Sequence, residues 1–113
     1  NHTASTFVIG VEPAESPMIT QGVHGTHGIQ GIGANFVPEN YHHEYVKAIV
    51  TVSTEDAVDT AVRLAKNEGI FAGISSGAAV HAALDLAAEV KGKRILAILP
   101  DRGDRYISTG MFE

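Results

Sequence analysis

Two kinds of hydrophobic pattern alternate along this chain. Short continuous runs of β-branched and apolar residues at 6–11, 47–52 and 94–99 have the length and composition of buried strands. The first runs into Glu12-Pro13, where a proline without a backbone donor is expected to stop the ladder. A briefer run lies at 70–74. After the second strand, Ala57, Val58, Ala61, Val62 and Ala65 recur at helical spacing and predict a helix over 54–67. Ser53 is placed to cap it, Glu55 and Asp56 put acids in its first turn, and Gly69 stands where a left-handed C-cap belongs. A second helix is expected after Ser75-Ser76-Gly77, over the alanine-rich segment 78–87. Its small side chains suit close packing on more than one side.

Residues 14–45 keep no apolar period and carry Pro17, Pro38 and glycines at 22, 25, 28, 31 and 33. A loop this long inside a compact domain is expected to be functional, with short helical turns hidden in it. The tail 101–113 reads as irregular. The order strand, loop, strand, helix, short strand, helix, strand is that of an α/β fold, a mostly parallel sheet with helices on its faces. Such sheets hold ligands at the carboxyl ends of their strands, which here points to the turns 73–77 and 100–105.

Composition narrows the function more than the fold. With 113 residues, one compact unit is expected, and 44% hydrophobic against 19% charged residues predicts an ordered one. The net charge of -5 comes without any basic stripe, which argues against nucleic acid. There are no cysteines, the apolar runs are far too short to span a membrane, and no signal-peptide pattern opens the chain. A cytoplasmic protein is the expectation. A chain that begins almost at once with a strand also reads as a piece of something longer. His24, His27, His42 and His43 lack any framing carboxylate or thiolate pattern, so loop roles are expected and no metal site.

The most informative turn is Gly73-Ile74-Ser75-Ser76-Gly77, with two hydroxyls between a short strand and a helix start. One reading is helix capping by a serine. The other is that a hydroxyl and the helix N-terminus face a bound ring or anion. From the turn alone both stay open.

Four segments in order carry a resemblance. Glu68-Gly69-Ile70 with Gly73 through Ala79 is similar to the E-G-I-x-x-G-I-S-S-G-A-A stretch of the cysteine synthase (O-acetylserine sulfhydrylase) family. Ile9 through Pro13, followed by Ser16-Pro17, resembles that family's strand ending in V-E-P. Ile29 through Ala34, with Phe36-Val37-Pro38, resembles its I-Q-G-I-G-A-G-F-I-P loop, and Leu99-Pro100-Asp101 through Thr109 its L-P-D-S-G-E-R-Y-L-S-T segment. The chain departs from the pattern at Gly28, Asn35, Arg102 and Asp104, and Asn35 and Arg102 are the two that could alter the site mouth.

The resemblance implies the C-terminal portion of the cofactor-binding domain, residues 1–113, of a fold type II pyridoxal-phosphate enzyme. It assigns Ser75 to the pyridine nitrogen of pyridoxal 5'-phosphate, with Gly73, Pro100 and Asp101 near the ring, and Gly31, Gly33 and Ala34 at the substrate entrance. Asp101 could instead cap the following turn. No catalytic residue is expected here, because the family's Schiff-base lysine and phosphate loop lie in its N-terminal half. The implied activity is synthesis of L-cysteine from O-acetyl-L-serine and sulfide by β-replacement, in a homodimer. The alternatives are a cystathionine β-synthase-like enzyme and a non-catalytic module binding the C-terminal tail of serine acetyltransferase.

Overall fold

The structure is a computed structural model and describes residues 6–33 and 36–104. Its elements in chain order are strand β1 (Ile9–Pro13), the short helix α1 (Met18–Gln21), a 3-10 turn (His43–Tyr45), strand β2 (Ala48–Val52), helix α2 (Thr54–Arg63), a π-helical turn (Leu64–Glu68) and helix α3 (Ile74–Glu89). β1 and β2 pair in parallel, Ile9 opposite Ala48 through Pro13 opposite Val52. The expected α/β arrangement, a parallel sheet covered by helices, is what forms.

The strand boundaries correct the expected ones. β1 starts at Ile9 and continues through Pro13 instead of ending at Val11. Proline is tolerated because the next residue carries the ladder: Ala14 N–H donates to Val52 C=O at 2.8 Å, so the position lacking a donor points away from β2. Gly10 in the middle of β1 has a packing reason. A Cβ there would meet Ile49 Cδ1 at 2.7 Å.

α2 begins as expected, with the Ser53 hydroxyl accepting from Asp56 N–H at 3.1 Å. Its α-helical hydrogen bonding stops at Arg63, short of Asn67, and a wider π turn carries the chain to Gly69. Gly69, at φ 71, closes that turn in the left-handed region. α3 starts at Ile74, so both serines of the 73–77 turn lie inside its first turn.

Among the described residues two expected strands do not form. Run 70–74 contributes a single antiparallel bridge, Ala72 with Arg102. Run 94–99 enters no ladder and leaves Leu96 88% and Ile98 69% exposed. A strand needs a neighbour, and β-branched composition alone provides no hydrogen-bond partner.

The core is small-sided. Ile29, Val52, Ala57, Ile74, Ala78 and Ala82 form a buried cluster, edged by Val11, Ile32, Val50 and Val58. α2 and α3 meet along alanines and Gly77, where a Cβ would collide with the Ala57 carbonyl oxygen. The expected close packing of α3 therefore holds for its first half, while its last turns are largely exposed. Among the described residues no helix is long and apolar enough to cross a membrane.

The long connection from β1 to β2 is tied down by side chains. Glu12, 3% exposed, accepts from Ile19 N–H at 2.8 Å, from Thr20 N–H at 3.0 Å and from the Thr20 hydroxyl at 2.6 Å. Glu15 accepts from Thr54 N–H at 2.8 Å, and Thr54 Oγ1 accepts from Gly28 N–H at 2.9 Å. The buried Ser16 hydroxyl accepts from Gly25 N–H at 3.2 Å. These bonds hold the glycine loop over the carboxyl ends of the two strands.

Candidate functional site

The site is built from three segments that meet at the first turn of α3. The second segment is the 100–103 turn, laced antiparallel to 71–73. Gly73 N–H donates to Asp101 C=O at 3.1 Å, and Gly103 N–H to Phe71 C=O at 3.0 Å. Gly103 lies against the Phe71 ring so closely that a Cβ would sit 2.6 Å from it. This lacing brings the Asp101 side chain to the helix start.

Asp101, 8% exposed, caps α3 from a distance in sequence. Its Oδ1 accepts from Ser76 N–H at 3.0 Å and from the Ser76 hydroxyl at 2.6 Å, and its Oδ2 from Ser75 N–H at 3.4 Å. In return Asp101 N–H donates to Ser76 Oγ at 3.2 Å. A carboxylate at this helix end satisfies otherwise free amides and opposes the positive end of the helix dipole. The Asp101 carboxylate oxygens are thus directed at α3, beside Ser75. Ser76 does not cap the helix with its hydroxyl, because that hydroxyl is held by Asp101.

Ser75 differs from its neighbour. It is 5% exposed, and within the described residues its hydroxyl makes no hydrogen bond. No fully buried side-chain nitrogen or oxygen among those residues lacks a partner, so this hydroxyl keeps an opening to the outside. A nearly buried hydroxyl without a partner favours an external acceptor. Gly73, the residue before α3, is buried, and Pro100 is exposed.

The third segment is the glycine loop. Ile29 anchors it in the core with no exposure. Gly31 takes φ +94, and a Cβ there would meet a single neighbour, Ser75 Oγ, at 4.0 Å. Gly31 itself is exposed, so the loop backbone stands at the rim with Ser75 below it. Gly33 takes φ +67 and is packed from behind, with a Cβ there 2.6 Å from both His27 Nε2 and Pro13 Cγ. Ala34 and Asn35 lie outside the described residues, as do the Arg105-Tyr106 and Ser108-Thr109 pairs of the fourth segment.

His27, which sequence reasoning left as an ordinary loop residue, fastens this rim. Its Nδ1 accepts from Ile29 N–H at 3.1 Å, which leaves Nε2 as the protonated nitrogen donating to Gly33 C=O at 3.0 Å. With both ring nitrogens engaged in the loop, neither is available to a metal. Among the described residues no group of three or more His, Asp or Glu side chains is placed to hold one. The four lysines 47, 66, 91 and 93 are exposed, and Lys47 lies over the Phe7 ring, 5.1 Å from its centre.

The glycine rim thus lies over a hydroxyl at the start of α3 that has no hydrogen-bond partner among the described residues. The family of pyridoxal-phosphate dependent enzymes matches residues 1–101. The chain belongs to this family. It is 50% identical over 105 residues to cysteine synthase B of Campylobacter jejuni, an alignment covering 93% of this chain and 35% of that protein. The cysteine synthase structure of Entamoeba histolytica superposes with a TM-score of 0.93 at 43% identity, covering 97% of this chain and 33% of the other. The O-acetylserine dependent cystathionine β-synthase of Helicobacter pylori superposes with a TM-score of 0.86 at 39% identity, covering 95% and 35%. The chain therefore spans about a third of the length of the relatives it matches. Within this family the fold is type II, and the parallel pair with helices against it agrees with that.

Proposed function

We propose that residues 1–113 supply the ring-nitrogen side of a pyridoxal-phosphate site in an enzyme making L-cysteine from O-acetyl-L-serine and sulfide. On this reading they are the C-terminal portion of the cofactor-binding domain, and the lysine and phosphate loop come from elsewhere in the parent protein. The observation that carries it is the Ser75 hydroxyl, nearly buried, without a partner in the described chain and opening below Gly31. A pyridine nitrogen is an acceptor, and a serine hydroxyl is a neutral donor that holds such a nitrogen without protonating it. When bound, pyridoxal phosphate supplies an electron sink that allows a leaving group to depart from the β-carbon and a nucleophile to replace it.

The remaining roles fall to this chain. Ser75 would hold the ring nitrogen by one hydrogen bond, and Asp101 keeps the α3 turn in place. Gly31 and Gly33 give the rim a backbone that substrate can approach without side chains in the way. The same rim would receive the tail of serine acetyltransferase, and a cytoplasmic homodimer is part of the same reading.

In the full-length parent, Ser75→Ala is expected to weaken cofactor binding about fivefold, the worth of one ordinary hydrogen bond of about 1 kcal/mol. Ser75→Asp is expected to favour a protonated ring, shift the cofactor absorbance and slow elimination. Unchanged affinity, absorbance and rate in both variants would remove Ser75 from the ring. A second reading, a cystathionine β-synthase-like enzyme, has the Helicobacter pylori neighbour in its favour. Activated serine offered with sulfide or with a larger thiol separates the two, because only the nucleophile differs.

A further inference from the structure

The two adjacent serines carry the same functional group, and the structure gives them opposite surroundings. Ser76 has no exposure, and its hydroxyl and amide are engaged by Asp101 in four bonds, at 2.6, 3.0, 3.0 and 3.2 Å. Ser75 makes only one longer bond with Asp101, its amide N–H donating to Oδ2 at 3.4 Å, and its hydroxyl makes none with that residue. Asp101 in turn is fixed by the backbone pairing of 71–73 with 101–103. Charge-assisted bonds from a carboxylate to two consecutive amides set the rotation of a helix's first turn. That rotation decides where the Ser75 Cα–Cβ bond points.

We infer that Asp101 is a positioning residue for the cofactor ring: it locks Ser76 and the first turn of α3, and so leaves the Ser75 hydroxyl as the aimed donor. Asp101 acts through Ser75 and touches no reacting atom. The inference rests on the reading of Ser75 given above. It has a consequence that a direct ring contact by Asp101 would not share. Once the Ser75 hydroxyl is gone, nothing remains for Asp101 to aim, so the two residues cannot act additively on the ring nitrogen.

The test uses the full-length holoenzyme loaded with pyridoxal phosphate labelled with nitrogen-15 in the ring, reading the ring-nitrogen chemical shift and the cofactor dissociation constant. Ser75→Ala is expected to move the signal to the position of a ring lacking its donor. Asp101→Asn, which keeps the shape but sets an amide donor among the helix N–H groups, is expected to move it part of the way and weaken cofactor binding by less than the about fivefold of Ser75→Ala. The Ser75→Ala/Asp101→Asn double variant is expected to give the same shift as Ser75→Ala alone. Ser76→Ala, which removes the hydroxyl bonds and keeps the amide bond, is a gentler variant should Asp101→Asn fold poorly, and is expected to move the signal in the same direction. A wild-type ring signal in folded Asp101→Asn or Ser76→Ala, or effects that add in the double variant, would overturn the positioning role with the Ser75 reading intact. A ring signal unmoved by Ser75→Ala would overturn both, and is told apart by that single variant.

Discussion

Gly31 and Ser75 face each other across the site, close enough that a Cβ on Gly31 would lie 4.0 Å from the Ser75 hydroxyl oxygen. Nothing else in the described structure stands within that distance of the added atom, so the space above Ser75 is bounded by bare backbone. Gly31→Ala is therefore expected to act in two ways. Alanine at φ +94 is strained by about 1–2 kcal/mol, and its methyl group would intrude on the ring edge. The cofactor dissociation constant of the full-length variant should rise with a modest loss of thermal stability.

Gly33→Ala should behave differently. Its added methyl group would strike His27 and Pro13 at 2.6 Å, behind the rim and away from Ser75. The strain falls on the loop's fastening, so the expected result is local loosening. Hydrogen exchange should quicken at Ile29 and across 27–33, with the His27 nitrogen-15 signals losing the signature of a single Nε2–H tautomer. Unchanged exchange and tautomer would show that the rim is held some other way.

Gly77→Ala tests the packing beneath the site. The new methyl group would meet the Ala57 carbonyl and lie 3.0 Å from Ala61 N, and backbone cannot move aside as a side chain can. Overpacking of this kind costs about 1–3 kcal/mol or more, so the full-length variant should unfold several degrees lower. An unchanged melting temperature would show that the α2–α3 contact at Gly77 does not limit stability.

Glu12→Gln is the corresponding test for the long connection. The carboxylate accepts three bonds from Ile19 and Thr20, and an amide must turn an N–H group toward one of those donors. The expected loss is about 1–3 kcal/mol, read as a lower denaturation midpoint with an unchanged slope. Equal midpoints would show that this buried carboxylate contributes nothing to the loop.

The chain by itself is expected to be inactive and to self-associate. Its four lysines are exposed, and Leu96, Ile98, Phe36 and Phe7 present apolar surface at 88%, 69%, 60% and 65% exposure. Surfaces of this kind associate in water. Sedimentation at micromolar concentration should find oligomers, and an assay with O-acetylserine, sulfide and added pyridoxal phosphate should find no turnover. A monomer with full activity would contradict both statements.

Local chemistry makes much of this molecule legible in its sequence. The β-branched run at 47–52, the Ser53 cap and the left-handed Gly69 depend on neighbours a few residues away, and each formed where the sequence placed it. The same holds for the Ser75-Ser76 turn as a helix start carrying hydroxyls. What the sequence could not decide depends on groups far apart along the chain. Run 94–99 has strand composition and no ladder, because pairing requires a partner that side-chain character cannot specify. β1 passes through Pro13 because only its register with β2 tells which amides face the neighbour. Which of two adjacent serine hydroxyls is engaged by Asp101, 25 residues beyond Ser76, depends on hydrogen bonds whose strength follows distance in space and not along the chain.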